Sequence, residues 1–119
     1  MTDVKQLLID TLQEAFDLPV ILQGTLATGD EYPSYFTYWN NDTAYAAFYD
    51  NEETRTDWDL DLNFYSTDPE AVNTVLLEAV SVLKDAGFTV PGVGYDIASD
   101  EVTHTGRGIN IIYIDKKGN

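Results

Sequence analysis

The chain has 119 residues, 6 Lys and Arg against 21 Asp and Glu, a formal net charge of −15, and no cysteine. This length suits one hydrophobic core, so we expect a single domain spanning residues 1–119. The charge disfavours binding to phosphate backbones and to anionic membranes, and the lack of cysteine excludes disulfides and thiolate chemistry. No apolar run approaches the roughly 20 residues that span a bilayer, so we expect no membrane association.

The first predicted element is a helix that begins after Asp3. Asp3 with Gln6 three residues later is typical of a capping box, and Pro19 should end the helix at about residues 17–18. The short apolar run 20–22 predicts a buried strand. Residues with helical spacing supply the apolar stripe of the helix: Val4, Leu7, Leu8, Leu12, Ala15 and Phe16.

A stretch rich in turn residues and aromatic residues follows. Residues 23–32 predict a loop, whereas the aromatic segment 34–39 and the segment 43–49 predict two strands separated by a turn at 40–42. A further turn at 50–53 leads into a third strand. The three strands should form an antiparallel meander.

The third strand and the helix after it carry the strongest patterns in the chain. From residue 56 to 65, Thr, Trp, Leu, Leu and Phe alternate with Asp, Asp, Asp, Asn and Tyr, which predicts one buried and one wet face. Asp68 and Pro69 are typical of a helix start, and Gly87 of a helix end. We expect this helix to pack on the apolar face of the strand.

The C-terminal third predicts short strands around a polar loop. Residues 88–90 and 95–97 are extended, residues 98–108 form a loop or hairpin tip, and residues 109–114 form the closing strand. Isoleucine on both faces of that strand indicates burial on both sides, within the domain or against another chain. The fold class is therefore α+β: a mostly antiparallel sheet, with a three-strand meander and C-terminal strands, and two helices packed on one face.

An acidic row is the most conspicuous polar pattern. Asp57, Asp59 and Asp61 should project from one strand face, roughly 6.5–7 Å apart. A calcium loop would need Gly and Glu where Leu62 and Asp68 stand, so we expect no metal site. Like charges at this spacing repel each other, and a basic patch on a partner would neutralise them.

His104 is the single histidine, and we expect it to be a surface residue of the polar loop. A cluster with Asp100, Glu101 and Arg107 is the alternative, but catalysis would need partners that the sequence does not show. The segment 105–108 is too poor in glycine to be a phosphate loop. We therefore predict no catalytic residue, no cofactor and no enzymatic activity.

Several polar and aromatic residues are candidates for protein contacts. Tyr65 lies on the outer parity of the long strand, as suits a protein–protein interface. Arg107 stands between two glycines. It is either a mobile positive charge that could pair with a carboxylate of a neighbouring subunit, or an incidental residue of a turn. The predicted interface residues are Asp57, Asp59, Asp61, Tyr65, Asp100, Glu101 and Arg107.

In the order of its elements and in its local sequences, the chain resembles the small tail-terminator proteins of long-tailed phages and prophages. These are also called tail-completion or head–tail joining proteins. The resemblance is carried by residues 32–39 (YPSYFTYW), 64–68 (FYSTD), 85–88 (DAGF) and 108–114 (GINIIYI), and it extends over roughly residues 7–114. It is a likeness of element order and length and includes no diagnostic motif.

This resemblance implies a structural virion protein that forms a hexameric ring on the tail tube. Its partners would be further copies of itself, the tail tube protein and the head connector protein, and DNA would pass through an acidic lumen without specific binding. It would be found in the virion tail, and in the host cytoplasm during assembly. The loops at 24–32 and 98–108 would be contact segments.

Two other functions are compatible with the residues. An acidic DNA mimic that inhibits a nucleic-acid-binding protein would account for the net charge of −15, although charged residues make up only 23% of the chain. A small hydrolase or metal-dependent enzyme would have to use His104 or the acidic row.

Overall fold

The computed structural model describes residues 3–22, 32–49, 52–97 and 104–116. In chain order the elements are α1 (Val4–Phe16), β1 (Val20–Leu22), β2 (Ser34–Tyr49), β3 (Glu52–Ser66), α2 (Pro69–Asp85), β4 (Tyr95–Ile97) and β5 (Thr105–Lys116). The strands form one five-stranded sheet in the order β1-β2-β3-β5-β4, parallel between β1 and β2 and antiparallel elsewhere. The predicted α+β class is confirmed.

Both helices begin at the predicted caps. At α1, the Asp3 carboxylate accepts a hydrogen bond from the backbone N–H of Gln6 at 3.1 Å. The Gln6 side chain donates to Asp10 at 2.8 Å, so the reciprocal bond of a capping box is replaced by a bond along the helix. At α2, Asp68 accepts from the N–H of Glu70 at 3.0 Å.

The end of α2 confirms the role predicted for Gly87. Its φ of 105° lies in the left-handed region that glycine adopts without a steric penalty. Its N–H donates to the carbonyl of Lys84, and the N–H of Phe88 donates to that of Leu83. These two bonds form a Schellman motif, which satisfies helix carbonyls and turns Phe88 onto the core.

The core lies between the helices and one face of the sheet. Leu60, Leu62 and Phe64 of the apolar parity of β3 are buried as predicted, and α2 packs its stripe onto them, whereas Trp58 is half-buried. Directly opposite residues in the register, such as Leu62 and Ile109, share that face. The buried members are Val4, Leu8 and Leu12 of α1, Val20 of β1, Phe36 and Tyr38 of β2, Leu60, Leu62 and Phe64 of β3, Leu76, Ala79 and Leu83 of α2, Phe88, and Ile109 and Ile111 of β5.

The predicted turn at residues 40–42 is wrong. Residues 34–49 form one continuous strand that pairs with β3 along its whole length, so these residues contribute one long hairpin arm and not two strands of a meander. The register shifts between Asn40 and Asp42, as in a β-bulge, and the Asn40 side chain donates to Thr43 at 2.7 Å across it. A bulge accommodates the same turn-forming residues without ending the ladder.

The closing strand is longer than its apolar pattern predicted. Strand β5 starts at Thr105, so the prediction of a loop through residue 108 is wrong for its last residues. The sequence did not predict a strand at residues 106–108, because glycine is unfavourable in isolated strands and two of these residues are Gly106 and Gly108. Pairing with β3 and β4 on both sides supplies the missing stability. Of residues 88–90, Thr89 forms a single bridge to Ile112.

Leu62→Ala tests the packing of α2 on β3. Leu62 is fully buried, so its truncation should lower the free energy of unfolding by about 2–5 kcal/mol, through lost burial and a residual cavity. Leu77→Ala is the control: Leu77 lies on α2 but is 65% exposed, and its truncation should change stability by less than about 0.5 kcal/mol. Urea unfolding measures both. Equal losses would contradict the assigned faces.

Candidate functional site

We call the face of the sheet that is turned away from the helices the open face. Its two halves differ in character. Strand alternation and register place its residues. One half, towards the start of β5, is aromatic, and the other carries the acidic row. The side chains on this face are Tyr35, Thr37 and Trp39 of β2, Asp57, Asp59, Asp61, Asn63 and Tyr65 of β3, Tyr95 and Ile97 of β4, and Gly106, Gly108, Asn110, Ile112 and Ile114 of β5.

In the aromatic half, large rings lie over small residues. Tyr35 stacks on Tyr65 with ring centroids 5.2 Å apart. Gly106 lies beneath the Tyr65 ring: an added Cβ would be 2.8 Å from both that ring and the Ile97 side chain. Glycine is needed here for space and not for its backbone freedom. The Tyr65 side chain, a predicted interface residue, is half-buried in this intramolecular contact.

The acidic row occupies the other half, and we call Asp57, Asp59 and Asp61 the acidic strip. Their predicted position opposite the helices is confirmed, although all three are half-buried. Asn110, on the neighbouring strand, donates its side-chain amide to Asp59 and lies 3.5 Å from an Asp61 oxygen. The same amide contacts the Leu60 carbonyl at 3.2 Å. A neutral donor therefore orients two of the carboxylates without cancelling their charge.

Exposed apolar side chains flank the acidic strip on both sides. Trp39 is directly opposite Asp61 on β2 and is 48% exposed. On β5, Ile114 is opposite Asp57 and is 41% exposed, and Ile112 is opposite Asp59 and half-buried. Isoleucine on both faces of the closing strand was predicted, and Ile109 and Ile111 do lie in the core. The outer isoleucines instead border the charged strip.

Tyr95 lies close to the acidic strip. Its ring is near Gly108, where an added Cβ would be 3.1 Å from the ring. Partial burial, and then the negative charge of Asp61, raise the pKa of the Tyr95 phenol above its ordinary value of 10.0. The raised pKa keeps the Tyr95 phenol protonated at neutral pH, beside the acidic strip.

Arg107 is not the mobile charge that the flanking glycines predicted. Its guanidinium donates to Asp96 at 2.8 Å and to the Val93 carbonyl at 3.2 Å. It is opposite Phe64 in the register, so it belongs to the helix side of the sheet and not to the open face. Asp96 is exposed, and solvent screening makes this ion pair a modest contributor to stability.

His104 was predicted to be a surface residue, and that prediction is wrong: it is only 9% exposed. Its Nε2 donates to the Tyr32 carbonyl at 2.8 Å, and its ring lies 5.7 Å from that of Tyr35. The imidazole therefore ties the start of β5 to the start of β2. It also lines a cleft of about 420 Å³ beside the first turn of α2, with Asn73 and Thr105 among the other walls.

The alternative His104 cluster is not assembled in the described part of the chain. Asp100 and Glu101 lie outside the described residues, as do residues 24–31 and 98–103 of the predicted contact loops 24–32 and 98–108. Arg107 pairs with Asp96. Within residues 3–22, 32–49, 52–97 and 104–116, no three His, Asp or Glu side chains are grouped to hold a metal ion. No helix in those ranges is long and apolar enough to cross a membrane.

The sequence did not predict four of the residues around the acidic strip: Trp39, Asn110, Ile112 and Ile114. Their relation to the acidic strip depends on the β2–β3 and β3–β5 registers, and the partners on β5 lie about 50 positions away in the chain. The alternation of the closing strand was the available signal, because it places Asn110, Ile112 and Ile114 on one parity.

Comparisons with known proteins add no assignment. No protein-family model and no curated protein matches this chain.

Gly106→Ala tests the packing of the aromatic half. The added methyl would overlap the Tyr65 ring and Ile97, so we expect a loss of about 1–3 kcal/mol in the free energy of unfolding. Gly92→Ala is the control, since no atom lies within 4 Å of its added Cβ and its stability should change by less than about 0.5 kcal/mol. If thermal or urea unfolding shows the two variants equally stable, the rings do not lie over Gly106.

Proposed function

We propose that this protein is a non-enzymatic assembly protein, a ring-forming tail terminator that caps the tail tube of a long-tailed phage and joins it to the head. The observation that supports this proposal best is the one-sided architecture. Both helices cover one face of the sheet, and the other face retains exposed Trp39 and Ile114 beside three carboxylates. Exposed aromatic and aliphatic side chains on a flat surface are typical of protein contacts.

The resemblance of residues 32–39, 64–68, 85–88 and 108–114 to tail-terminator proteins supplies the particular function. These four segments lie on β2, at the β3–α2 junction, at the end of α2 and on β5, so the likeness involves the sheet and the helix that builds the core. The partners would be other copies, the tail tube protein and the head connector protein. The protein would act in the virion tail after assembly in the host cytoplasm.

The net charge of −15 fits a ring through which DNA passes without binding, since affinity for phosphates requires Lys and Arg. The same charge underlies the alternative of a DNA mimic. The half-burial of the acidic strip and the contacts of Asn110 with Asp59 and Asp61 do not favour that alternative, because a mimic has to present its carboxylates freely.

The proposal predicts a closed oligomer. Six copies of a 13.3 kDa chain give a particle of about 80 kDa, which light scattering distinguishes from a monomer, and negative-stain images should show rings. Assembly restricted to the tail is tested by deleting the gene from the parent phage, which should then produce overlong or headless tails. Monomers at all concentrations together with normal virions after deletion would overturn the proposal.

A further inference from the structure

We propose that the cleft beside the first turn of α2 binds a short, extended and uncharged peptide segment with an aliphatic side chain, presented by a different protein. We call it the α2 cleft. This inference deepens the proposed function and rests on it for the identity of the partner, the tail tube protein or the head connector protein. The lining residues are Pro69, Val72 and Asn73 of α2, Asp96 and Ile97 of β4, and His104, Thr105 and Gly106 where the chain enters β5.

Hydrogen bonds tie together the segments that meet at the α2 cleft. The hydroxyl of Ser66, at the end of β3, pairs with the hydroxyl of Ser34 at 2.9 Å and accepts from the N–H of Asp68 at 3.1 Å. His104 bonds to the Tyr32 carbonyl at 2.8 Å. The ends of β2, β3, α2 and β5 are therefore held in place before any ligand arrives, and a preformed cleft loses less conformational entropy on binding.

Two exposed polar side chains at the α2 cleft indicate the chemistry of the ligand. The Asn73 amide has no hydrogen-bond partner in the described part of the chain. The Thr105 hydroxyl makes a long contact of 3.5 Å with the Ser66 carbonyl. An asparagine side chain donates and accepts hydrogen bonds, so Asn73 can pair with both the C=O and the N–H of an extended backbone.

Apolar side chains supply the rest of the surface of the α2 cleft. Val72 is buried, Ile97 is half-buried and Pro69 is exposed. An aliphatic side chain of the ligand would remove this surface from water. The volume of about 420 Å³ lies towards the small end of ligand pockets, so it suits a short extended segment and not a helix of about 10–12 Å diameter.

The charges at the α2 cleft favour an uncharged segment. The Asp96 carboxylate is already paired with the Arg107 guanidinium at 2.8 Å. A basic ligand would have to compete with Arg107, and the net charge of −15 would repel an acidic one.

The position of an uncharged segment of this chain argues against a second copy as the occupant. Residues 91–93 (PGV) are exposed, and the Val93 side chain is 80% exposed. This segment lies beside its own α2 cleft, because Arg107 donates to both the Val93 carbonyl and Asp96. Neighbouring surfaces favour reciprocal exchange between two copies, whereas a ring joins two separate surfaces. We therefore assign the α2 cleft to a different protein.

Titration with blocked tripeptides tests the α2 cleft. The probe is acetyl-Ala-Leu-Ala-amide, compared with the same peptide carrying Gly, Lys or Asp at its centre. His104 is the single histidine, so its imidazole C–H signals are identified directly in a proton NMR spectrum of the full chain. At fixed pH, we expect the leucine peptide to shift these signals saturably, with a Kd on the order of 0.1 mM.

The three comparison peptides test the stated chemistry. We expect each to bind at least fivefold more weakly than the leucine peptide. Equal affinity for the glycine peptide, or tighter binding of the lysine or aspartate peptide, overturns the proposal. A leucine titration that shows no saturable shift up to about 10 mM also overturns it.

Matched variants locate the peptide in the α2 cleft. Asn73→Ala and Thr105→Val each remove one exposed polar group from the cleft, and each should weaken the leucine peptide at least threefold. Gln13→Ala is the control, because it removes an exposed amide from α1, and its affinity should stay within 1.5-fold of the wild type. Circular dichroism of each variant establishes that it is folded. Unchanged affinity in both cleft variants overturns the proposal.

Dilution of the protein without peptide tests the other occupant. If the His104 signals move on dilution and Asn73→Ala abolishes that change, a second copy occupies the α2 cleft and the inference is wrong. If the protein forms no ring and the deletion phage is normal, the proposed function fails, while the peptide titration still decides whether the α2 cleft binds the segment.

Discussion

The structure depends on the contact between α2 and the apolar parity of β3. Leu60, Leu62 and Phe64 are fully buried there, and each such side chain contributes about 1.5–3 kcal/mol. The Asp68 cap defines the start of α2, and the turn at Gly87 defines its end. The two caps therefore determine which residues of the stripe are helical and pack on β3. Strands β2 and β5 pair with the two edges of β3 and extend the same apolar face, and α1 completes the cover.

Because the helices cover only one side of the sheet, the side chains of the open face must pack against one another or remain exposed to solvent. Here one half of that face is closed by the protein itself: Tyr35 and Tyr65 stack, and Gly106 leaves room for them. In the other half, carboxylates and apolar side chains are partly exposed to solvent. Asn110 keeps the carboxylates ordered without neutralising them.

Local chemistry made much of the fold predictable, because helix caps and the alternation of β3 are set by neighbours in the chain. The errors arose where long-range pairing overrides local preference. Residues 40–42 favour a turn in isolation but form a bulge in a long hairpin, and Gly106 and Gly108 belong to a strand that β3 and β4 stabilise from both sides. The acidic strip was predictable for the same local reason, whereas its contact with Asn110 depends on the register of distant segments.

The central claim is that the apolar face of the sheet builds the fold and that the negative charges of the acidic strip are not needed for it. Urea unfolding of the variant Asp57→Asn/Asp59→Asn/Asp61→Asn tests it most directly, because asparagine keeps the shape of each side chain and an oxygen for the Asn110 amide. The account predicts a free energy of unfolding equal to or higher than that of the wild type, since like-charge repulsion is relieved. A loss of more than about 2 kcal/mol would contradict it, because the strip would then be part of what holds the sheet together.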